Sequence, residues 1–404
     1  MAAVMAAAGA AVAAMVVTAT MAVTAAEAEV TDATSVFLSF LDWIKSSALI
    51  LPTRFLSESD SLSWRWFFSA FLIASLSTLL FSKNLKRSLR RLKAHLFSKR
   101  AKGELALDLK FFAFKFFYDP IEMIFYGIFF AHATVWVERS LRYLMYPLLP
   151  QPLIFFDPVF GPIAYIILLF LLNDFAFFIF HYLSHKYASL WDLHAVHHRA
   201  RHLNPLTKYR VHPLSMVISF FVSIAVVGVT LGIVKSFVYF PRYSANDTTR
   251  MLQNIILFSF AWSHLRHSAY WISFGKFLSY ILISPAMHQI HHSRKPEHLN
   301  KNFGSVFAVW DYIFGTLYIP VKKEKLWLGE SALVQKEPWT FTKEMLEPLR
   351  SVKRRWMRKV PYPRLAFAVT ILFLMASLLS MRYFDHNMGT ESRVSTRVSN
   401  ADTD

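Results

Sequence analysis

Histidines are the residues of this chain most suited to chemistry, and thirteen of the sixteen lie within residues 181–298. Eight of them form three groups with the spacing of metal ligands: His181 and His185 in HYLSH; His194, His197 and His198 in HAVHH; and His288, His291 and His292 in HQIHH. Residues three and four apart share one face of a helix, so each group directs two imidazoles toward a common point. The second histidine of each HH pair adds a third ring nearby.

The number of imidazoles predicts two metal ions, because tetrahedral zinc takes four ligands and catalytic zinc three protein ligands. The chain has no cysteine, which excludes thiolate zinc sites, Cys-ligated iron–sulfur clusters and P450-type haem. Neutral imidazole suits zinc, copper, iron and nickel, so ligand type alone leaves those metals open. The groups lie at the ends of apolar segments that a hydrocarbon can reach. Removing hydrogen from an unactivated C–H bond there requires a redox metal and oxygen.

The motifs resemble, in type and order, those of the fatty acid hydroxylase / sterol desaturase superfamily over residues 174–320. After HYLSH and HAVHH come RVHP at 210–213, HLRHS at 264–268, and SPAMHQIHHS running into KNFGSVFAVWDYIFGT. Each motif alone is a weak signal, whereas the ordered set is specific. The first motif departs from the common HRxxH form, because Tyr182 follows its first histidine.

This resemblance implies a membrane di-iron enzyme that hydroxylates or desaturates a lipid with O2. It implies that nine histidines are catalytic metal ligands: His181, His185, His194, His197, His198, His267, His288, His291 and His292. His264 competes with His267 for the ninth position, and the HS pair at 267–268 favours His267.

The resemblance also implies that electrons are supplied from outside the catalytic part. Positions 1–94 contain no histidine for a fused cytochrome b5 haem domain, and no GxGxxG turn for a nicotinamide nucleotide occurs. We therefore expect a separate donor of the cytochrome b5 or ferredoxin type with its reductase.

Carboxylates in the apolar region are expected to support the metal ligands. Asp174 lies within a predicted span, where an unpaired carboxylate is costly, so we expect it to accept a ring N–H from a ligating histidine. Asp192 and Asp311 are candidates for the same role, and Arg210 for neutralising such acids. For each of these charged residues, the alternative is a structural salt bridge without a role in supporting the metal ligands. The NFG and WDYIFGT motifs are expected to close the site structurally.

The composition predicts an all-α, multi-pass membrane bundle, because 55% of the residues are hydrophobic. The net charge of +18 comes from basic residues beside apolar spans, a pattern typical of the positive-inside rule rather than of nucleic-acid binding. We expect spans at 64–82, 121–137, 159–180, 214–233, 251–263 and 365–381, and an interfacial helix at 274–284. This topology places the His groups in a helical cap on the cytoplasmic side, in either a bacterial cytoplasmic membrane or the endoplasmic reticulum.

We expect five parts along the chain. They are a leader at 1–63, the first spans and a basic cytoplasmic segment at 64–158, a hydroxylase/desaturase domain at 159–320, a polar cytoplasmic extension at 321–360, and a final span and tail at 361–404.

Two other functions fit part of the pattern. A zinc-dependent lipid hydrolase or lyase is allowed by the ligand type, but the chain has more histidines than zinc needs and lacks an HExxH-type glutamate beside them. A transporter with titrating histidines predicts ionisable groups along the spans rather than at their ends. The sequence leaves open which lipid is the substrate, and whether it is hydroxylated or desaturated.

Overall fold

The computed structural model describes residues 86, 98–145, 147–149, 151–157, 160–240, 263–268, 270–330 and 339–359. This part of the chain is mostly helical. Its α-helices are α1 Lys99–Met145, α2 Phe160–Lys186, α3 Ala188–His198, α4 Pro213–Ser223, α5 Val229–Phe237, α6 Gly275–Leu278, α7 Pro285–His291, α8 Val309–Ile313 and α9 Phe341–Lys359. A π-helical turn, Ile224–Gly228, joins α4 to α5, and 3-10 turns lie at Pro205–Tyr209 and Pro296–His298.

Two short strands, β1 Ile154–Phe155 and β2 Val238–Tyr239, pair in parallel at the far ends of α2 and α5 from the histidines. The chain divides into two compact units, Met1–Leu349 and Arg350–Asp404. All the candidate site residues belong to the first unit.

Within the described part of the chain, two helical stretches are long and apolar enough to cross a membrane: α2 with 27 residues, and α4 through α5, Pro213–Phe237, with 25. They correspond to the spans predicted at 159–180 and 214–233. The predicted span at 121–137 falls inside the continuous helix α1. The spans predicted at 64–82 and 365–381, most of the one at 251–263, the leader and the tail lie outside the described residues.

The prediction of an interfacial helix over residues 274–284 is wrong in its extent. Only the single turn α6 forms there, and the chain then runs extended, with Leu282 bridged to Phe307. Extended backbone at this point lets Ile283 N donate to Val306 O at 2.8 Å. The pairing with residues 306–308 replaces helical hydrogen bonds and brings the segment before α7 against the segment before α8.

Helix α7 begins with residue types that are typical of a helix start. Ser284 is its N-cap and accepts a hydrogen bond from Met287 N, while Pro285 occupies the first turn. The cap fixes the start of a seven-residue helix that carries the third His group.

A buried ionic network joins α1, α3 and the start of α9. Arg210 is 1% exposed and donates to Glu104 at 2.6 Å and Glu344 at 3.0 Å, while Arg199 donates to the other oxygen of Glu344 at 2.8 Å. Arg210 was expected to neutralise the acids of the site, but its partners are Glu104, Glu344 and Asp108 instead. Since Arg199 directly follows α3, the network holds the end of the helix that carries HAVHH.

We predict that Arg210→Ala lowers the free energy of unfolding of the detergent-solubilised protein by about 3–5 kcal/mol, because it leaves buried carboxylates without their main countercharge. Denaturant titration followed by helical circular dichroism measures this. Lys295→Ala is the control, since its partner Glu297 is exposed and the pair is worth about 0–1 kcal/mol. Equal losses of unfolding free energy in the two variants would show that the buried network stabilises the protein no more than a surface ion pair does.

Candidate metal centre

Four helical segments bring the predicted ligands together. Helix α2 carries His181 and His185 one turn apart at its end, and α3 carries the HAVHH group. Residues 263–266 are helical and lead into His267, and α7 with the residue after it carries the HQIHH group. Eight of the nine rings are therefore placed by the helical three- and four-residue spacing that the sequence shows.

The nine imidazoles form two adjacent groups in which the nitrogens of each lie within 4.8 Å of one another. Group 1 contains His181, His185, His194, His198 and His291, and group 2 contains His197, His267, His288 and His292. All the predicted ligands belong to one group or the other. His264 does not, because its Nε2 lies 3.0 Å from the hydroxyl of Tyr209.

The nitrogens of group 1 converge through their Nε2 atoms. The Nε2 of His198 lies 3.1 Å from that of His194, 3.2 Å from that of His185 and 3.1 Å from that of His291. The Nε2 atoms of His181 and His194 are 3.0 Å apart. Two nitrogens bound at about 2.0–2.1 Å to one ion lie about 2.9–3.4 Å apart at right-angled to tetrahedral angles. These distances are those of ligands around a common ion.

Group 2 has the same arrangement. The Nε2 of His267 lies 3.1 Å from that of His197 and 2.9 Å from that of His288, and His292 and His288 are 3.2 Å apart at Nε2. The two groups adjoin, with the rings of His198 and His292 stacked at 4.7 Å between centroids.

The tautomers of three rings leave their Nε2 atoms available as metal ligands. His181 Nδ1 lies 2.7 Å from Phe303 O, His291 Nδ1 2.8 Å from Lys301 O and His267 Nδ1 3.0 Å from Ser263 O. A carbonyl only accepts, so each Nδ1 carries the proton and each Nε2 of these neutral rings is a bare lone pair. Each of these lone pairs faces a neighbouring ring nitrogen at about 3 Å, and either an N–H of that ring or a cation between the rings can satisfy it. The donor set therefore fits two metal ions.

Burial keeps the rings in the neutral, ligating form. It lowers the pKa of His197 to about 3 and that of His291 to about 4, and the charge of Arg266 acts in the same direction on both. Protonation, which would compete with metal, is thereby disfavoured at neutral pH. No carboxylate or cysteine of the described residues belongs to either group.

A loop at residues 301–304 orients one histidine from each of two helices. Lys301 O and Phe303 O are the acceptors for His291 on α7 and His181 on α2. Asn302 between them adopts φ 59°, a left-handed conformation that asparagine tolerates, and its side chain donates to Met287 O and Tyr318 O. The loop thus acts as the outer support that fixes imidazole orientation at metal sites.

Asp311 holds this loop from α8. Its Oδ1 accepts from Phe303 N at 2.8 Å and from the Thr316 hydroxyl at 2.6 Å, and its Oδ2 accepts from Gly304 N at 2.7 Å. A Cβ at Gly304 would overlap the Phe307 carbonyl, so only glycine fits. Asp311 therefore supports His181, as predicted in general terms, but through the backbone of residue 303 rather than by accepting from a ring.

The prediction that Asp174 accepts from a ligating histidine is wrong. Its carboxylate accepts from Val306 N at 2.8 Å, Phe307 N at 3.1 Å and the Trp310 indole N–H at 2.9 Å. A carboxylate inside an apolar helix needs donors, and the backbone before α8 supplies them. Asp174 thereby ties α2 to the segment that carries Asp311. The role predicted for Asp192 stays a prediction.

The most important contacts that sequence reasoning missed are backbone carbonyls, those of Ser263, Lys301 and Phe303. A carbonyl leaves no trace in residue identity, so only the motif as a whole, KNFG, marked the place. The residue types at 302 and 304 were the available signal, since Asn and Gly are suited to left-handed or crowded backbone.

These features define a helical protein with a buried site of nine imidazoles in two groups, suited to a pair of metal ions. Residues 166–316 match the family model "Fatty acid hydroxylase". This match confirms the resemblance of the motif-bearing part of the chain to the fatty acid hydroxylase / sterol desaturase superfamily.

The curated relatives are lipid hydroxylases by name. Alkylglycerol monooxygenase from Homo sapiens is 30% identical over 147 residues, 36% of this chain and 29% of the relative. The Xenopus tropicalis enzyme of that name is 25% identical over 160 residues, 40% and 32% of the two chains. Ornithine lipid hydroxylase OlsE from Rhizobium tropici is 24% identical over 195 residues, 48% and 53%. The chain thus spans about a third to a half of these relatives. No solved structure matches it.

We predict that Asp311→Asn weakens metal binding by about 10–100-fold, because an amide in place of the carboxylate sets an NH2 group against a backbone N–H and loosens the acceptor of His181. Metal retention during titration with a chelator measures the change. Thr316→Val removes one donor to Asp311 and leaves both backbone hydrogen bonds, so its effect should be smaller. Unchanged retention in Asp311→Asn would show that the loop does not orient the ligands.

Proposed function

We propose that this protein is a membrane-embedded di-iron monooxygenase that hydroxylates a C–H bond of a lipid with O2 and electrons from a separate donor. The observation that carries the proposal is the convergence of nine neutral imidazoles in two groups, within a domain of the fatty acid hydroxylase family. Hydroxylation is favoured over desaturation because the relatives are named monooxygenase and hydroxylase.

The residues of group 1 would hold one iron ion and those of group 2 the other. The bound pair of ions supplies the redox chemistry with O2 that side chains lack. The imidazoles stay neutral. The carbonyls of residues 263, 301 and 303 accept the Nδ1 protons of His267, His291 and His181 respectively. Burial of both groups excludes bulk water, which protects an oxidation reaction from proton leakage and side reactions.

Helix α2 would deliver the lipid to this site. It is apolar along its length and carries His181 and His185 at the end of its apolar stretch. An acyl or alkyl chain lying against α2 in a bilayer leads directly to group 1. Positioning one C–H bond near the ions is the main contribution that the protein has to make.

Polar lipids with an alkyl or acyl chain are the proposed substrate class, since the relatives are named for alkylglycerol and ornithine lipid. The cytoplasmic location of the site, the multi-pass topology and the cytochrome b5 or ferredoxin-type donor remain parts of the same proposal. The positive-inside rule supports the topology and the cytoplasmic location.

A zinc-dependent lipid hydrolase is the second candidate, because a four-imidazole set such as group 2 suits zinc. The donor set favours the oxygenase. A hydrolytic zinc site needs a general base beside its water, and neither group includes a carboxylate among the described residues.

We predict about two iron ions per chain in protein purified from iron-supplied cells, and about one in His267→Gln, which removes a donor of group 2. His264→Gln is the matched control, since His264 lies three residues away and outside both groups. Elemental analysis and Mössbauer spectra provide the measurement. Zinc at full occupancy in active protein would overturn the assignment.

We predict that the holoenzyme, supplied with a reductase and electron carrier, transfers one atom of isotopically labelled O2 into an alkylglycerol or an ornithine lipid. Mass spectrometry of the extracted lipid detects the labelled alcohol. His291→Ala should lower turnover by at least about 1,000-fold, since the ions act as a unit, while insertion into membranes is unchanged. Label arriving from water instead of O2 would indicate hydrolytic chemistry.

A further inference from the structure

Among the exposed apolar side chains of the described residues, those at 277–281 and 312–314 lie on two segments whose backbones are paired. Phe277 is 83% exposed and Ile313 is 63% exposed, although both types are normally buried. Together with their exposed neighbours they form a surface that we call the apolar ridge: Phe277, Leu278, Tyr280, Ile281, Tyr312, Ile313 and Phe314. A contiguous exposed patch of this kind marks an interaction site.

The ridge is one surface rather than two separate segments. The Tyr280 and Tyr312 rings pack edge to face at 5.9 Å. The backbones behind them are joined where Ala308 N donates to Ile281 O at 2.8 Å and where Leu282 bridges to Phe307. The ring contact and the backbone pairing hold the exposed apolar side chains of the two segments next to each other.

The ridge continues onto the candidate spanning helix α2. The Phe314 ring lies 5.0 Å from that of Phe178 and 5.8 Å from that of Tyr182. Further along α2, Lys186 Nζ donates to the Tyr182 hydroxyl at 3.1 Å, so the helix passes from apolar to charged within one turn. A lysine that extends from an aromatic ring toward water is typical of a membrane–water boundary.

The change from apolar to charged residues along α2 indicates how deep in the membrane the ridge would lie. Phe178 precedes Lys186 by eight residues, which corresponds to about 12 Å along a helix rising about 1.5 Å per residue. If Lys186 lies at head-group level, a ring in contact with Phe178 lies at the level of the acyl chains. Phe314 is such a ring.

We propose that the apolar ridge is seated in the lipid leaflet at the histidine-bearing end of α2. The charges fit a lipid occupant. Residues 274–284 and 309–316 contain one acid, Asp311, and it is buried, whereas Lys276 and Lys186 are exposed at the margins. Apolar side chains with exposed lysines at their margins fit an anionic leaflet. The proposal rests on the proposed membrane location of α2 and adds a second, monotopic contact to it.

The absence of cysteine allows a direct test, because one introduced cysteine is the only thiol in the chain. Phe277→Cys and Ile313→Cys carry a nitroxide label in the full chain, reconstituted in vesicles of phosphatidylcholine and phosphatidylglycerol. Collision of the label with O2, which concentrates in the acyl region, is compared with collision with a water-soluble nickel chelate. Ile167→Cys, half exposed on α2, is the control for the span, and Val321→Cys, 99% exposed beside Lys322 and Lys323, is the control for water.

We expect labels at 277 and 313 to collide more often with O2 than with the chelate, as at 167, and the reverse at 321. Chelate accessibility at 277 and 313 equal to that at 321, with 167 still in lipid, would overturn the seating of the ridge and leave the span intact. Low collision with both reagents would show a protein partner and overturn the proposal as well. Chelate access at 167 would instead refute the membrane location of α2.

Discussion

The constraint on which the structure depends is that nine imidazoles have been removed from water and directed at each other. Each ring loses hydration that a buried polar group must recover, and a hydrogen bond to one nitrogen recovers only half of it. In three rings a backbone carbonyl satisfies Nδ1. Their Nε2 lone pairs then face other ring nitrogens at about 3 Å and need a neighbouring N–H or a cation as partner. The arrangement is therefore compatible with a metal site.

The supports of the site form a connected chain. Asp311 fixes the loop whose carbonyls orient His181 and His291, and Asp174 fixes the backbone immediately before α8. Both carboxylates act on backbone N–H groups, so the two acids control the position of a loop rather than the basicity of a ring. This explains why the NFG and WDYIFGT motifs lie so far from the first His motif in sequence and yet beside it in space.

The sequence predicted the grouping of the histidines better than the residues that support them. Helical spacing places eight of the nine histidines, because the three- and four-residue repeats translate directly into a shared face. The resemblance supplied His267, which no periodicity marks, and the structure groups it with His197 and His288. The partners of Asp174 and Arg210 were predicted wrongly. The free-energy cost of burying a charge implies that the charge has a partner, but it does not identify that partner. The helix expected at 274–284 failed for a related reason, since pairing with residues 306–308 outweighs local helical preference.

Helix α2 links the site to the surroundings of the protein. The same 27 residues provide a span of sufficient length, two histidines of group 1 and the rings that contact Phe314 of the apolar ridge. Because Asp311 lies on α8 next to Tyr312 and Ile313, the segment that faces outward also holds the loop behind His181. In the proposed enzyme, a change in how deeply the ridge is seated would therefore act on the orientation of His181. Because the proposed substrate is part of the bilayer, this coupling would set the depth at which a C–H bond meets the site, and depth would determine which carbon of the chain is within reach.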